Sequence, residues 1–264
     1  MVRIKIKIKY ISGTSTGSAI AALYAMGYTP EEIKQICKEK YKKILKIRKK
    51  VLCQMAINFL LHKETRVEGI IDGKLVENFI NEVAREKEKN IITDFNERQL
   101  AIATVDTILM KECIFISNEI KNKNKNENIN YITDINIGKA VRSSMAFPAI
   151  FTTSNYKEYN FIDGGTADNL PVQVLKDMGA TKTIAISFDL NKYSPSKSLE
   201  GVLIRALDIF SNPSVQKSRD LSDISIEIYN PDTSLLSMDE IEKTMENGYN
   251  AVMRQKEKIL AEEQ

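Results

Sequence analysis

The residues Gly13-Thr14-Ser15-Thr16-Gly17 stand between an alternating run, Lys5-Ile6-Lys7-Ile8-Lys9-Tyr10-Ile11, and a run of small residues from Ser18 to Met26. This order predicts a strand, a sharp turn with Ser15 at its apex, and a helix. Such a turn lifts the serine hydroxyl clear of a sheet, and the two glycines let neighbouring backbone pass without a Cβ clash. Backbone N–H groups at the helix start would face any negative charge that develops beside the serine.

The Gly-x-Ser-x-Gly pattern by itself leaves three interpretations open. It is typical of a serine nucleophile, but a glycine-rich turn between a strand and a helix also occurs without any chemistry. A loop that cradles a phosphate group is the third interpretation. The surrounding sequence must decide between them.

Composition limits the class of protein. The chain has 264 residues, 43% of them hydrophobic, enough for one large α/β domain or two small ones. The formal net charge is only +3, and no nucleic-acid readout motif is present, so we expect no nucleic-acid partner. Three separated cysteines suit a reducing compartment, and no apolar run reaches the roughly 18 residues of a spanning helix or forms a signal peptide. A cytoplasmic location is the expectation.

The chain alternates between strand and helix patterns. Strands are predicted at residues 5–11, 100–106, 112–118, 159–162 and 183–187, and helices at 18–26, 73–85, 136–144 and 172–178. Thr29-Pro30-Glu31-Glu32 predicts a capping box at a further helix start, and the polar residues 121–130 predict a solvated loop. Residues 183–187 have the composition of a buried strand. The alternation predicts an α/β sandwich with a mainly parallel sheet.

Asp163-Gly164-Gly165 directly follows the predicted strand Tyr159 to Ile162. An aspartate at the carboxyl end of a strand lies where α/β proteins place their sites, although Asp-Gly is also an ordinary turn. A hydrolase triad needs an imidazole, and the one histidine, His62, precedes the aspartate by a hundred residues in a setting typical of the surface. If Ser15 is a nucleophile, a carboxylate must therefore take its proton directly.

These stretches together resemble the patatin-like phospholipase family, which uses a Ser-Asp dyad. The resemblance rests on Tyr10 to Ile33 (YISGTSTGSAIAALYAMGYTPEEI), Ala140 to Phe151 (AVRSSMAFPAIF), Phe161 to Pro171 (FIDGGTADNLP), Ile184 to Phe188, and Ile226 to Gly248. It implies a three-layer α/β/α sandwich with a mainly parallel central sheet. It also implies a catalytic domain over residues 1–176, with residues 177–264 adding strands and helices to the same globule.

The resemblance carries a site and an activity. It places the nucleophile on Ser15 and the acid-base residue on Asp163, and the matching motif positions are Gly13, Thr14, Thr16, Gly17, Gly164 and Gly165. The implied reaction is hydrolysis of carboxylic ester bonds in phospholipids or acylglycerols through an acyl-serine, with no metal and no cofactor. The implied partner is a lipid ester, and nothing in the sequence indicates an oligomeric state.

One part of the family pattern is missing. Members carry a first strand and a GGGxxG loop that supplies oxyanion-hole N–H groups, whereas only 14 residues precede Ser15 and none of the first 12 is glycine. We therefore expect a sheet with a gap or an unpaired edge beside the serine strand, and an oxyanion that relies on the N–H of Thr16 and its helix start. An N-terminally incomplete hydrolase and a degenerate, non-catalytic lipid-binding relative are both consistent with this departure.

Two further expectations concern the surroundings of the site. A carboxylate of ordinary pKa is a poor base for serine, so we predict a dry pocket that raises the pKa of Asp163, with Phe147, Pro148 and Phe151 as its walls. The stretch Lys38 to Leu61 mixes lysine and arginine with apolar residues at helical spacing. It is interpreted either as a helix lying on an anionic membrane surface or, slightly favoured, as a solvated basic face over an ordinary core.

Overall fold

The computed structural model describes residues 6–44, 69–120, 128–189, 199–229 and 241–261. Its strands are β1 (Tyr10–Thr14), β2 (Gly69–Ile71), β3 (Gln99–Asp106), β4 (Lys111–Ile116), β5 (Ile129–Ile132), β6 (Ala149–Phe151), β7 (Ser154–Tyr156), β8 (Tyr159–Asp163), β9 (Ile184–Phe188) and β10 (Ile224–Ile228). Its helices are α1 (Thr16–Ala25), α2 (Pro30–Ile44), α3 (Lys74–Glu86), α4 (Ile137–Ser144), α5 (Val172–Asp177), α6 (Leu199–Leu221), α7 (Ile241–Arg254) and α8 (Lys256–Ala261). His62 and Cys53 lie outside the described residues, as does most of the basic stretch.

The central sheet is mixed. Its strand order is β5-β4-β3-β8-β7, with β1 also paired to β3. The pairs β1–β3 and β4–β5 are parallel, whereas β3–β4, β3–β8 and β7–β8 are antiparallel. The expectation of a mainly parallel sheet was therefore wrong, because short turns join β3 to β4 and β7 to β8 as hairpins. The small sheets β9–β10 and β2–β6 are parallel.

Helices cover both faces of this sheet, which confirms the predicted three-layer α/β/α class. On one face, α1, α3 and α4 bury their apolar residues against Leu100 and Ile102 of β3 and Phe115 of β4. On the other face, Val174 of α5 packs against Ala101, Ile114 and Ile116. Residues that alternate along β3 and β4 thus serve two cores, which explains the unbroken apolar runs from Leu100 to Ala103 and from Cys113 to Ile116.

The strand before Ser15 begins later than the sequence predicts. The alternating run 5–11 predicts a strand there, but β1 starts at Tyr10 and continues to Thr14, directly before the serine. Its five residues pair with Gln99 to Ala103 of β3. Within the described ranges, β1 pairs with β3 alone. Ser12 Oγ of this strand donates to the Pro171 carbonyl, and Thr14 Oγ1 donates to the Asp168 carbonyl.

Of three further predictions made from short stretches of sequence, one was confirmed and two were wrong. The capping box is confirmed, since Thr29 N–H donates to Glu32 Oε2 at 2.6 Å and Glu32 N–H donates to Thr29 Oγ1 at 3.2 Å. The loop predicted for 121–130 is too long, because β5 begins at Ile129. Strand β9 is not buried as predicted: Ala185 is buried, whereas Ile186 is 51% exposed. The register places Ile184 and Ile186 beside Ile224 and Ile226 of β10, but α7 and α8 cover only the isoleucines of β10.

Residues after the acid loop continue the fold with β9, α6, β10, α7 and α8. Helix α6 lies close to the turn Gly164–Thr166 and to α5. Val215 of α6 is buried with Leu170, Val172 and Ala185 in a small apolar cluster. The division of the chain at residue 176 stays a prediction.

Candidate active site

The sheet brings two strand ends together at one point of β3. Strand β1 runs parallel to β3 and ends with Thr14 opposite Ala103. Strand β8 runs antiparallel along the same strand and ends with Asp163 opposite Thr104. Two strands that approach each other along β3 thus finish at adjacent residues of it. Ser15, which follows β1, and Asp163, which ends β8, therefore meet at this point, although they are 148 positions apart in sequence.

Ser15 is the apex of the turn between β1 and α1, and residues 13–17 are called the elbow below. Its backbone has φ 53° and ψ −128°, a conformation that a residue with a Cβ rarely adopts. The preceding residue ends β1 and the next residue begins α1. The strained backbone turns the hydroxyl toward β8, where Ser15 Oγ donates a hydrogen bond of 2.6 Å to Asp163 Oδ2. The elbow geometry expected from the sequence is present.

Asp163 is fully buried at the end of β8, and residues 163–165 are called the acid loop below. Burial raises the pKa of its carboxyl to about 6, against the opposing effects of hydrogen bonds from Ser15 and from the Gly165 backbone. The Gly165 N–H donates to Asp163 Oδ1 at 2.8 Å, so each carboxylate oxygen has one donor. The predicted upward shift of this pKa is confirmed. A carboxylate of this pKa is a stronger base than an ordinary aspartate and is still ionised at neutral pH.

The glycines of both motifs have unequal roles. A Cβ on Gly13 would lie 2.4 Å from the Gly17 carbonyl oxygen, and a Cβ on Gly164 would lie 2.3 Å from the Ala103 carbonyl oxygen. Both positions therefore need glycine for close backbone approach. A Cβ on Gly17 would meet no atom within 4 Å. The expectation that both elbow glycines relieve a clash is thus wrong for Gly17.

The start of α1 lies beside the serine hydroxyl. Thr16 is its first residue and Thr14, before the serine, is buried. The first turn of α1 contains no acidic residue that would offset its positive end. Ser18 donates its hydroxyl to the Ser15 carbonyl at 2.6 Å and thereby ties the helix to the elbow. The backbone N–H groups in the first turn of α1, beginning with that of Thr16, are the donors that the sequence predicts for an oxyanion.

The role of Phe147, Pro148 and Phe151 as walls of the site stays a prediction. Phe147 and Phe151 are buried in the main core cluster, whereas Pro148 is exposed. In the part of the chain that the structure describes, no three His, Cys, Asp or Glu side chains are grouped as ligands for a metal ion. Among the same residues, no helix has the length and apolar character needed to span a bilayer.

Sequence reasoning missed the contacts made by the carboxyl end of α4. Ser15 N–H donates to Ser144 Oγ at 2.9 Å, and Asp163 N–H donates to the Ala146 carbonyl at 3.0 Å. Both contacts come from the segment 140–151, which resembled a family motif without any assigned role. A serine in the last turn of a predicted helix carries no signal that identifies a distant partner.

The structure is thus an α/β sandwich in which a serine hydroxyl on a strained strand-to-helix turn is hydrogen-bonded to a buried aspartate. In the comparison with known families, residues 1–176 match the model of the patatin-like phospholipases. The chain belongs to the patatin-like phospholipase family. This is a family of lipid acyl hydrolases, whose members act on lipid substrates.

A viral protein is among the relatives. The chain is 30% identical over 183 residues to an uncharacterized protein of Acanthamoeba polyphaga mimivirus. The matched region is 69% of this chain and 54% of the viral protein. The chain therefore spans about half the length of this relative.

Proposed function

We propose that this protein is a lipid acyl hydrolase that cleaves carboxylic ester bonds of phospholipids or acylglycerols, with Ser15 as nucleophile and Asp163 as general base. The observation that carries the proposal is the 2.6 Å hydrogen bond from Ser15 Oγ to Asp163 Oδ2, a carboxylate that is fully buried. Family membership supplies the substrate class, and the contact supplies the two reacting groups.

In the first half of the reaction, Ser15 is acylated. Asp163 Oδ2 takes the hydroxyl proton while Oγ bonds to the ester carbonyl carbon, and the carbonyl π electrons move to its oxygen. The positive end of α1, beginning at Thr16, stabilises this oxyanion. When the tetrahedral intermediate collapses, the ester C–O bond breaks and the leaving alcohol takes the proton from Asp163. The products are acyl-Ser15 and the lipid alcohol.

In the second half, water releases the fatty acid. Asp163 takes a proton from the attacking water, whose oxygen bonds to the acyl carbon. Collapse of this second intermediate breaks the bond to Oγ, which recovers its proton from the aspartate. One carboxyl therefore serves as base and acid in turn, which suits a pKa of about 6.

A fluorophosphonate probe tests the proposal, because it labels serine hydroxyls that have been activated. We expect labelling of the wild type and of Ser12→Ala, whose lost hydroxyl donates to the Pro171 carbonyl and not to the acid loop. Ser15→Ala should remove the label and the hydrolysis of phospholipid vesicles. A folded wild-type chain that takes up no probe would instead favour the non-catalytic lipid-binding alternative.

Contact with a lipid surface is part of the proposal. The turn between β3 and β4 exposes three consecutive apolar side chains, with Ile108 63%, Leu109 52% and Met110 86% exposed. Buried Asp106 accepts the Leu109 N–H at 2.9 Å and the Asn160 N–H at 2.9 Å, which fixes the turn with these side chains outward. An apolar tip in a place where turns are ordinarily polar suits insertion among lipid headgroups.

Co-sedimentation with phosphatidylcholine vesicles tests this surface. Leu109→Glu and Met110→Glu should each reduce the bound fraction, because a charge must then be desolvated at the lipid boundary. Phe210→Glu, which alters a 76% exposed apolar side chain on α6, is the matched control and should bind as the wild type does. Equal binding by all four proteins would exclude the β3–β4 turn as the surface that contacts lipid. Vesicles with anionic lipid test the basic stretch 38–61 separately.

A further inference from the structure

The shared pairing of β1 and β8 with β3 brings the two halves of the site together, but Ser15 itself lies beyond the last paired residue of β1. Strands β1 and β8 both pair with β3, and Ser15 is joined to Asp163 by a side-chain contact. That contact depends on a serine hydroxyl that rotates freely and on a turn under backbone strain. A fixed contact to the backbone on each side would hold the distance more firmly.

The carboxyl end of α4 makes such contacts on both sides. Ser144 Oγ accepts the Ser15 N–H at 2.9 Å, and two residues later the Ala146 carbonyl accepts the Asp163 N–H at 3.0 Å. Ser144 and Asp163 are both 0% exposed, and Ala146 is 1% exposed. One short segment thus holds the backbone of the nucleophile and the backbone of the base at the same time.

The Ser15 N–H needs this partner because of the elbow geometry. With φ at 53° the residue has left the ladder of β1, and it precedes the first helical residue of α1. Loss of the acceptor in this part-buried contact is unfavourable, and rotation of the backbone away from the strained conformation would relieve it. Rotation about φ would move Oγ away from Asp163 Oδ2.

We infer that Ser144 is a positioning residue: its hydroxyl holds the elbow in the conformation that keeps Ser15 Oγ against Asp163. The inference rests on the proposed function, because the geometry that it preserves is that of the proton transfer. It gives a role to the segment 140–151 that its resemblance to a family motif did not supply.

The neighbouring Ser143 provides a matched control. It lies on the same helix turn and is also 0% exposed. Its Oγ shares a 2.7 Å hydrogen bond with Ser154 Oγ on β7, so it fastens α4 to the sheet without touching the elbow. Removing either hydroxyl should cost stability, but only Ser144 should affect the reaction of Ser15.

The test compares the acylation of Ser15 by a fluorophosphonate in the wild type, Ser143→Ala, Ser144→Ala and Ser144→Cys. The limiting rate at saturating probe should fall about tenfold or more in both Ser144 variants, with the half-saturating concentration unchanged, because misplaced reacting atoms slow the step without weakening binding. Cysteine preserves the packing but is a weak acceptor, so it keeps the test valid if alanine prevents folding. Ser143→Ala should stay within about twofold of the wild type. Equal rates in the Ser143 and Ser144 variants would overturn the inference.

Hydrogen exchange of the Ser15 amide separates this inference from the proposed function. The amide should be protected in the wild type and in Ser143→Ala, and should exchange at least about tenfold faster in Ser144→Cys. A wild type that takes up no probe refutes the proposed function and, with it, the catalytic value of the contact. An amide that exchanges equally in the wild type and Ser144→Cys refutes the contact itself, whatever the reactivity of Ser15.

Discussion

The elbow and the acid loop each follow a strand and contain glycine, yet they carry unfavourable free energy in different forms. In the elbow, Ser15 has a strained backbone (φ 53°, ψ −128°) and an uncharged side chain. In the acid loop, Asp163 has an ordinary backbone (φ −52°, ψ 131°) and a carboxyl removed from water. The nucleophile is thus prepared by geometry and the base by desolvation. The strain at Ser15 and the desolvation of Asp163 can each be relieved by a substitution that also removes the reacting group.

The largest expected effect is on the base. Asp163→Asn should lower the rate of Ser15 acylation by about 10² to 10⁴, because an amide cannot take the hydroxyl proton. Far-ultraviolet circular dichroism should show an intact fold, and the rate of probe labelling should fall by this factor. Asp168→Asn is the control: it changes another aspartate with a pKa raised to about 6 by burial, and its side chain accepts the Leu170 N–H. An active Asp163→Asn would end the Ser-Asp hypothesis.

The next effect separates the two elbow glycines. Gly13→Ala should lower the free energy of unfolding by about 3 kcal/mol or more, because its Cβ collides with backbone that cannot rotate aside. Gly17→Ala should stay within about 1 kcal/mol of the wild type, since alanine is the better helix former at an open position. Chemical denaturation of both variants measures the difference. Equal stabilities would mean that the elbow backbone is not as tightly apposed as the 2.4 Å approach requires.

A smaller effect concerns the buried charge. The pKa of Asp163 is about 6 in the folded chain and 3.8 as its ordinary value, so the folded state holds the proton more tightly. The contribution of Asp163 to the free energy of unfolding is therefore most favourable at pH below about 4, and this advantage is lost as the pH rises through 6. Asp163→Asn should be more stable than the wild type by up to about 3 kcal/mol above pH 6, with the advantage shrinking toward pH 4.

The pH dependence of the difference between the two proteins is the decisive measurement. Glu112 and Asp168 also have pKa values raised by burial, to about 7 and about 6, so the wild type alone would report all of these groups together. Urea denaturation of both proteins at several pH values isolates Asp163. A difference that does not change between pH 4 and 7 would show that its carboxyl is not desolvated.

The smallest effect concerns the strain at the apex. Ser15→Ala and Ser15→Gly both remove the nucleophile, but only glycine adopts φ 53° without a Cβ penalty. We expect the glycine variant to be the more stable by about 1 kcal/mol, despite its larger loss of unfolded-state entropy. Thermal unfolding of the two inactive proteins is the measurement. A more stable alanine variant would show that the elbow is not strained.

Local patterns made much of this fold predictable. The elbow, the Thr29–Glu32 capping box and an aspartate at the end of a strand are each encoded within a few consecutive residues, so propensity and turn chemistry act on them directly. The start of β1 was missed because the pattern from Lys5 to Ile11 alternates like a strand, whereas pairing begins where Gln99 of β3 offers its partner. Pairing depends on the other strand and cannot be found in either one alone.

The acid loop and α4 show the same limit at the site. Sequence reasoning selected Asp163 because the one histidine stood in the wrong place, and its role as the base stays a prediction. The contact from Ser144 had no local signal, because serine at the end of a helix has many ordinary uses. The sheet decides that β1 and β8 end at neighbouring residues of β3, and that convergence gives the serine hydroxyl its carboxylate, while the packing of α4 gives the Ser15 N–H its acceptor.

By itself, the sequence determined the α/β class, the turn that carries Ser15 and the two residues proposed to react, because these depend on neighbours along the chain. The tertiary structure decided the mixed sheet, the burial that raises the pKa of Asp163 and the contacts that hold both halves of the site. The physical reason is that desolvation and strand pairing depend on groups that are distant in sequence, and only the folded chain brings those groups together.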